Sequence, residues 1–466
     1  MRHVFIWICL LFCSQNQVIA QTLSQGQPID EVKINAITLV GNKITRDNII
    51  FRELEFSVGS EYTPAVLDSL MIKSRQNLMN RSLFNFVTIT DTGSNGIRDV
   101  EVSVIERWYI WPIPIFQFAD RNLNAWIEKS DLNRLNYGLD LRVENFRGRM
   151  ERLNIIVQTG YDMRFVAKWS IPYLDKKQVL GMGLQGGVQY NHEVAYQTID
   201  NKPVYFNSPG DFAQQKYFGG VGITLRPGYN YLHDFGLMFY HYQFQDSLLI
   251  LNPEFACGTS CSFFQFSYTV KLDYRDYKPY PLSGFYFDFQ VQKQGFGLFG
   301  DQADLLWFTS AFDLYIPLVK RWYFAYNFSA KLSGNKSRPY FLSSGLGSNG
   351  MDVRGYELYV VEGQNFSVFK SNLKFEVVPQ KTYRIPWIKS PKFSDIFFAL
   401  YANVFFDMGY ASDYDYDLRN PLANQIIWGT GVGLDLVSYY DTVIRFEFTL
   451  NKEKDTGFFI NFVSPI

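Results

Sequence analysis

Very few residues of this sequence have the types and spacing that catalysis or metal binding needs. The histidines after residue 20 are His192, His233 and His241, and none lies in a metal-protease motif or a nucleophile elbow. A glycine-rich run around Gly345 lacks the Gly-Lys-Ser/Thr sequence of a phosphate-binding loop. We therefore expect no enzymatic activity, no cofactor and no metal site.

An export signal begins the chain. A short charged region precedes an apolar run over residues 4–12, and Val18 and Ala20 suit a signal-peptidase site. We expect residues 1–20 to be a cleaved signal peptide and residues 21–30 to be a flexible leader. The mature protein would then fold outside the cytoplasm, in an oxidising compartment.

The cysteines suggest structural roles. Cys13 lies within the signal and offers a lipoprotein alternative, but Phe12 before it is bulky where a lipid-modified cysteine needs a small neighbour. Cys257 and Cys261 bracket the segment Gly-Thr-Ser, and we expect them to form a local disulfide. Metal binding is the alternative, although two thiols without a nearby histidine are weak grounds for it.

The composition is that of a membrane protein without membrane-spanning helices. Hydrophobic residues make up 47% and aromatic residues 18% of the chain, yet the mean hydropathy is only −0.11. After the signal, no stretch approaches the roughly 18 consecutive apolar residues that a spanning helix needs. The 44 basic and 45 acidic residues balance, which removes the electrostatic case for nucleic-acid binding.

Residues 31–107 have the pattern of a small soluble α+β domain. Alternating apolar residues over positions 32–39 predict a strand, and Thr45 caps a short amphipathic helix. Thr63, followed by proline, starts a second helix, and two strands separated by a glycine-rich turn follow. The predicted order is β-α-α-β-β over roughly 75 residues.

Residues 108–466 have a different pattern. Bulky apolar and polar residues alternate over segments such as 137–144, 285–292, 322–329 and 443–450. This alternation is typical of strands with one face in lipid and the other in water. A soluble β-sandwich gives the same alternation, but no second core boundary interrupts this long region. At roughly 22 residues per strand and its connection, we predict a transmembrane antiparallel β-barrel of about 16 strands.

Five short segments stand out against this background. The first domain contains Val40-Gly41-Asn42-Lys43-Ile44-Thr45 and Leu83-Phe84-Asn85-Phe86-Val87. The barrel region contains, in this order, Asp273-Tyr274-Arg275-Asp276 with Pro281 and Gly284, Val353-Arg354-Gly355-Tyr356, and Phe405-Phe406-Asp407-Met408-Gly409. In this order and spacing they resemble the motifs of the BamA/TamA-like outer-membrane barrel superfamily, the bacterial surface antigen family. There they belong to a POTRA domain, a strand–periplasmic-turn–strand signature, the tip of the sixth extracellular loop and the strand facing that tip.

The resemblance implies a barrel of 16 strands in the bacterial outer membrane, with one POTRA domain in the periplasm. It also implies that the loop tip folds into the barrel lumen, where the Arg354 guanidinium needs a carboxylate partner. Asp407 is the first candidate because alternation along its strand turns it inward. Asp435 and Glu447, also on the polar sides of their strands, are the second choices.

The strands that must pair to close the barrel contain prolines. Pro112 and Pro114 lie in the expected first strand, and the last strand ends with Phe462 and Pro465. Each proline removes one donor from the backbone ladder. Two interpretations of the prolines are equally compatible with the sequence. Either they mark trimmed strand ends or a linker between the domain and the barrel, or they weaken the seam. A weak seam would open toward lipid and template an incoming strand.

These features favour outer-membrane protein assembly, insertion or translocation through a laterally opening barrel with a client-binding periplasmic domain. The alternatives are a passive pore or surface-structure protein, or a dedicated secretion pore for one partner. We expect contacts with outer-membrane lipid and lipopolysaccharide, unfolded client proteins and accessory lipoproteins, and none with nucleic acid. Assembly factors of the family carry several POTRA domains, so one domain leaves a central or a specialised role open.

Overall fold

The computed structural model describes residues 31–118, 134–208, 210–298, 303–334, 339–343, 345–347, 351–414 and 419–462. The predicted signal peptide, the leader and Pro465 lie outside these ranges. Within them, a small N-terminal domain precedes a 16-stranded antiparallel sheet.

The N-terminal domain is a four-stranded sheet with two helices. Its elements are β1 (Val32–Val40), α1 (Asp47–Phe51), β2 (Glu61–Tyr62), α2 (Pro64–Met79), β3 (Phe84–Thr92) and β4 (Ile97–Glu106). The sheet order is β2-β1-β4-β3, so β3 and the two-residue β2 are its edges. The sequence pattern did not predict β2, because two residues carry no periodic signal.

Local signals in the sequence define the helices of this domain. The Thr63 hydroxyl accepts a hydrogen bond from the backbone N–H of Val66, and Pro64 occupies the first turn of α2, where its missing N–H costs nothing. The apolar faces of both helices and of the sheet form one core, in which Ile34, Ile50 and Phe84 are fully buried. This core continues into the barrel, because Tyr173 of the turn after β8 is buried in the same cluster.

The second part of the chain is a meander of long strands. They are β5 (Ile110–Phe118), β6 (Leu135–Phe146), β7 (Glu151–Gly160), β8 (Met163–Ile171), β9 (Leu180–Asn191), β12 (Gln214–Leu225), β13 (Tyr231–Phe244), β14 (Ser260–Asp273), β15 (Gly284–Gln294), β16 (Leu305–Val319), β17 (Trp322–Ser333), β18 (Asn365–Arg384), β19 (Asp395–Ser412), β20 (Ile426–Ser438), β21 (Val443–Asn451) and β22 (Thr456–Phe462). A separate hairpin of β10 (Glu193–Ile199) and β11 (Lys202–Asn207) lies between β9 and β12, and two short helices, α3 (Asp246–Leu251) and α4 (Pro391–Ser394), lie in connections. Neighbouring strands of the large sheet pair in chain order from β5 to β22, which confirms the predicted count of 16.

The large sheet curves into a barrel, and the N-terminal domain packs against one end of it. That domain contacts turns at the start, the middle and the end of the strand order, through Thr45 with Asn145, Glu53 with Arg226, and Arg107 with Asp441. At the same end, Trp111 of β5 packs edge to face against Tyr440 beside β21, with 5.3 Å between ring centroids. The two edge strands are thus brought to the same side. We call this the domain end of the barrel and the opposite end the distal end.

Side chains alternate between the lumen and the outer surface. On β19, Asn403, Phe405 and Asp407 are buried, whereas Val404 and Phe406 are exposed. This confirms the alternation read from the sequence. Across the described ranges, none of the helices has the length and apolar character needed to cross a membrane.

Candidate functional site

Between β17 and β18, at the distal end, the described residues 339–343, 345–347 and 351–364 fold back into the lumen; we call them the inner loop. Leu346 and Val361 form a backbone bridge within it, and the chain turns at Gly355, which has φ of +94°. Val353 and Tyr356 are buried against inward residues of the neighbouring strands. The turn at Gly355 thereby presents Arg354 to the barrel wall.

Arg354 is bound from three strands at once. Its Nε donates to Asp407 Oδ2 at 2.7 Å and its Nη2 to Asp407 Oδ1 at 2.6 Å, a two-point geometry that suits a guanidinium. Its Nη1 donates to Glu447 Oε1 at 3.2 Å and to Asn372 Oδ1 at 3.0 Å. The guanidinium also lies 3.8 Å from the ring centre of Phe405. Arg354 is 5% exposed and Asp407 is 0% exposed, so this is a desolvated and fully engaged site.

Asp435, the remaining candidate partner, binds another arginine. It lies on β20 well beyond Gly429, the residue of that strand that pairs with Asp407. Its Oδ1 accepts a hydrogen bond from Arg445 Nε at 2.7 Å. The lumen therefore holds a second buried ion pair, nearer the domain end than that of Arg354. Sequence alternation placed Asp435 on the correct face but could not assign its level along the barrel.

Glycines on the inner faces of β19 and β20 make room for the inner loop. A β-carbon on Gly409 would lie 2.5 Å from Val353 Cγ2, and one on Gly429 would collide with the carbonyl oxygen of Arg354. Sequence reasoning missed Gly429. The signal that could have indicated it is three glycines, at 429, 431 and 433, on consecutive inward positions of one strand.

The turn between β14 and β15 lies at the domain end. The residues of the predicted signature, Asp273, Arg275, Asp276, Pro281 and Gly284, all lie in this turn or at its flanks. Arg275 Nε donates to Asp273 Oδ1 at 2.8 Å, and Asp276 Oδ1 accepts from the backbone of residues 282 and 283. Asn80 of the N-terminal domain donates to the carbonyl oxygen of Asp276 at 3.2 Å. The signature therefore shapes a turn that the domain contacts.

Glu53 is the centre of an ion cluster between the domain and the barrel. It is 0% exposed and accepts two hydrogen bonds from Arg226, at 2.6 and 2.9 Å, while Arg81 Nε lies 3.1 Å away. Tyr173 donates to it at 3.3 Å. Burial alone would raise the pKa of Glu53, but attraction from Arg81 and the bonds from Arg226 outweigh it and hold the pKa at about 2. Nothing in the sequence pattern indicated this cluster, because its members are far apart in the chain.

A second ion pair anchors the domain beside the last strands. Arg107 donates to both carboxylate oxygens of Asp441, at 2.6 and 2.9 Å. Ser82 and Tyr277 donate to the same carboxylate at 2.7 and 2.8 Å. Burial raises the pKa of Asp441, but the hydrogen bond from Arg107 and its charge more than compensate, so the pKa lies below its usual range. The domain is thereby held against the turn between β20 and β21.

The β10–β11 hairpin crosses the distal mouth of the barrel. At its tip, Asn201 has φ of +57° and is 1% exposed. Its carbonyl oxygen accepts from Val360 of the inner loop at 2.8 Å, and its Oδ1 accepts from Leu422 at 3.0 Å. Its backbone N–H donates to the carbonyl oxygen of Arg419 at 3.2 Å. One asparagine thus ties the hairpin to the inner loop and to the connection between β19 and β20.

The cysteines lie in an apolar cluster at the distal end. Cys261 is buried and Cys257 is half-buried, close to the buried rings of Phe255 and Phe263. This location supports a structural role for both residues. Their disulfide stays a prediction.

The seam lies between β5 and β22. Pro112 and Pro114 are in β5, where they face Leu141 and Leu139 of β6. Phe462 ends β22 and is 80% exposed. Among the described residues no ladder joins β5 to β22, so these are the two edges of the sheet. Prolines are tolerated at such edges because a missing N–H on the unpaired side of the strand breaks no ladder hydrogen bond.

A 16-stranded barrel with a small α+β domain on one end and an arginine-bearing loop inside defines the class of outer-membrane barrels with periplasmic domains. Residues 145–463 match the Omp85 superfamily domain, and residues 32–107 match the POTRA model described as the surface antigen variable number repeat. The chain belongs to the Omp85 superfamily. Its barrel lies in the outer membrane, with the POTRA domain and the domain end in the periplasm. At the level of the family, the role is assembly or translocation of proteins at that membrane.

Solved structures have the same fold. The crystal structure of BamA from Haemophilus ducreyi lacking POTRA domains 1-3 matches with a TM-score of 0.51 and 13% identity, over 94% of this chain and 84% of that one. CdiB from Escherichia coli matches with a TM-score of 0.53 and 12% identity, over 92% and 74%. CdiB from Acinetobacter baumannii gives a TM-score of 0.50 and 12% identity, over 93% and 74%. Comparison with curated proteins gave no sequence match.

Replacing Arg354 by Ala should destabilise the barrel. Removing one partner of a buried ion pair costs about 3–5 kcal/mol, because the other charge stays buried. We expect Arg354→Ala to lose its compact electrophoretic mobility at a lower temperature than the wild type. Arg152→Ala is the control, since Arg152 also pairs with a carboxylate but its side chain is 59% exposed. Equal heat resistance of Arg354→Ala and the wild type would contradict the role of the pair.

Replacing Gly429 by Ala should displace the inner loop. The added β-carbon collides with the Arg354 carbonyl oxygen, whereas a β-carbon on Gly183, another inward glycine, meets nothing within 4 Å. We expect proteolysis to cleave the inner loop faster in Gly429→Ala than in Gly183→Ala. The same cleavage rate in both variants would show that the loop does not need this glycine.

The contact between the POTRA domain and the barrel should weaken in acid. Because the pKa of Glu53 is lowered from 4.5 to about 2, its ionised form stabilises the folded state above pH about 4.5. This stabilisation is lost as the pH falls through the folded pKa, so the thermal midpoint of the domain should drop between pH 4.5 and 2. Glu53→Gln should reduce that dependence and leave the part that comes from Asp441, whose pKa is also lowered, and Glu61→Gln, at an exposed pair, should keep it in full. A wild-type pH profile in Glu53→Gln would rule the cluster out as its cause.

Proposed function

We propose that this protein inserts or translocates other proteins at the outer membrane by opening its barrel between β5 and β22. The process needs no cofactor and no covalent reaction. The observation that carries the proposal is the seam: two edge strands on the same side of a 16-stranded barrel, without a ladder between them in the described residues. An unpaired edge exposes backbone donors and acceptors that an incoming strand can use.

The POTRA sheet supplies a second edge for client proteins. Its order leaves β3 as a nine-residue edge, while the other edge, β2, has two residues. Thr88 and Thr90 are exposed on β3, and Asn85 near its start donates to the carbonyl oxygen of Lys392 on the barrel rim at 2.8 Å. An extended client strand added to β3 would therefore run toward the barrel mouth.

The proposed partners follow from this arrangement. Unfolded outer-membrane or secreted proteins are the clients that pair with the strand edges. Outer-membrane lipid and lipopolysaccharide contact the apolar outer face, and accessory lipoproteins would bind at the periplasmic end.

Depletion of the protein tests the proposal against its alternatives. Because insertion serves many clients, we expect the abundance of several other outer-membrane proteins to fall, as measured by quantitative proteomics of the membrane. An unchanged membrane composition would indicate a passive pore or a surface-structure protein. Loss of one exported protein alone would indicate a dedicated secretion pore.

Complementing the depleted cells with a locked seam tests the mechanism. Ile110→Cys with Phe462→Cys places thiols at exposed outward positions near the domain ends of β5 and β22, and oxidation should reduce the rescue until reductant is added. Ile444→Cys with Phe462→Cys is the matched control, because these residues pair within the β21–β22 ladder and leave the seam free. Electrophoretic mobility shows whether the seam of the variant is cross-linked. Full rescue of the depleted cells by the cross-linked variant would contradict lateral opening.

A further inference from the structure

The inner wall formed by β8, β9 and β12 carries cations that none of the sites above uses. Strand alternation turns Arg164, Lys168 and Lys216 toward the lumen, opposite the exposed apolar residues of the same strands. Gln185 and Gln189 of β9 lie on the same face between them. We call these five residues the cationic wall.

The strand register arranges the cationic wall in two rows. Arg164 pairs with Gln189, and Gln189 pairs with Lys216, so one row reads cation, amide, cation. Lys168 pairs with Gln185 in a second row, closer to the periplasm. With strands about 4.8 Å apart and a rise of about 3.3 Å per residue, the wall measures about 10 Å across and about 13 Å along the barrel.

The cationic wall differs from its neighbours in charge pairing. On β6 and β7, Arg142 pairs with Asp140 at 2.6 Å, and Arg152 pairs with Glu144 at 2.8 Å. The three cations of the wall form no ion pair with any carboxylate in the part of the chain that the structure describes. This stretch of the lumen therefore carries a net positive charge.

The surroundings keep these charges available to a ligand. Arg164 Nε is buried and has no hydrogen-bond partner among the described residues. The Lys216 ammonium lies between 5.2 and 5.4 Å from the ring centres of Phe218, Tyr240 and Tyr242, which stabilise the charge without neutralising it. Two cations on either side of one amide repel each other, and an anion between them relieves the repulsion.

We propose that the cationic wall binds acidic segments of client polypeptides in the lumen, an inference that rests on the proposed function. Charges in two rows match carboxylates spaced along an extended chain, whereas a small anion can contact one row only. The amides of Gln185 and Gln189 add donors and acceptors for the main chain of such a segment. The wall faces the lumen and not the bilayer, so its occupant is a polypeptide in transit and not a lipid headgroup.

Binding of a fluorescein-labelled deca-glutamate peptide to the full-length protein in detergent micelles tests this assignment. Fluorescence anisotropy at low ionic strength should show saturable binding that weakens as salt is added. The variant Arg164→Gln/Lys168→Gln/Lys216→Gln should bind about tenfold more weakly, or worse. The matched control, Lys176→Gln/Lys177→Gln/Lys320→Gln, removes three exposed lysines from periplasmic turns and should keep the wild-type affinity. Equal affinity of the two triple variants, or no binding by the wild type, overturns the proposal.

Competition separates a polypeptide from a simple anion. Unlabelled deca-glutamate should displace the labelled peptide, and inorganic phosphate at the same total charge should not; equal displacement by phosphate overturns the assignment to a polypeptide. Lys168→Gln alone changes an exposed residue, so it keeps the test valid if the triple variant fails to fold, and it should weaken binding in part.

An insertion assay in liposomes separates this inference from the proposed function, when the client protein has no acidic stretches. The wall variant should insert that client at the wild-type rate. If the wild-type protein inserts the client but binds no acidic peptide, the proposed role of the cationic wall is overturned and the proposed function stands. If the wild-type protein does not insert the client, the proposed function is overturned.

Discussion

The two-point bond between Arg354 and Asp407 is the interaction on which the inside of the barrel depends. A guanidinium taken out of water must have its donors paired, and the donors of Arg354 reach acceptors on β18, β19 and β21. Those strands can supply the acceptors only at one register. The register of the last part of the sheet and the position of the inner loop are thus fixed together. The glycines of β19 and β20 then allow the loop backbone to approach closely enough for the bond to form.

Each end of the lumen is covered by an element held through buried polar contacts. At the periplasmic end, Glu53 and Arg107 hold the POTRA domain to the rim, and at the distal end Asn201 holds the hairpin to the inner loop. Hydrogen bonds and ion pairs are directional, so each of them holds its cover in one position on the rim.

Much of this fold could be predicted from the sequence because its signals are local. Alternation gave the strands, and the threonine–proline pair at residues 63 and 64 gave the start of a helix. The partnership of Arg354 with Asp407 followed from a family motif together with the inward side of one strand. The Glu53 cluster could not be found in this way, because Arg81, Tyr173 and Arg226 come from three separate turns or helices and meet only in the folded chain. Asp435 shows the same limit within one sheet, since period-2 alternation specifies a face but not a height.

The POTRA domain grips turns on both sides of the seam, beside β6 at Asn145 and beside β21 at Asp441. Mechanically, the barrel wall is interrupted at the seam, and the domain bridges that interruption. The hairpin tip at Asn201 bridges the opposite rim, from β9 and β12 to the connection after β19. A wall bridged at both rims cannot widen evenly. Separation of β5 from β22 at the periplasmic rim must stretch or break the contacts of the domain, so the position of the domain and the width of the gap change together.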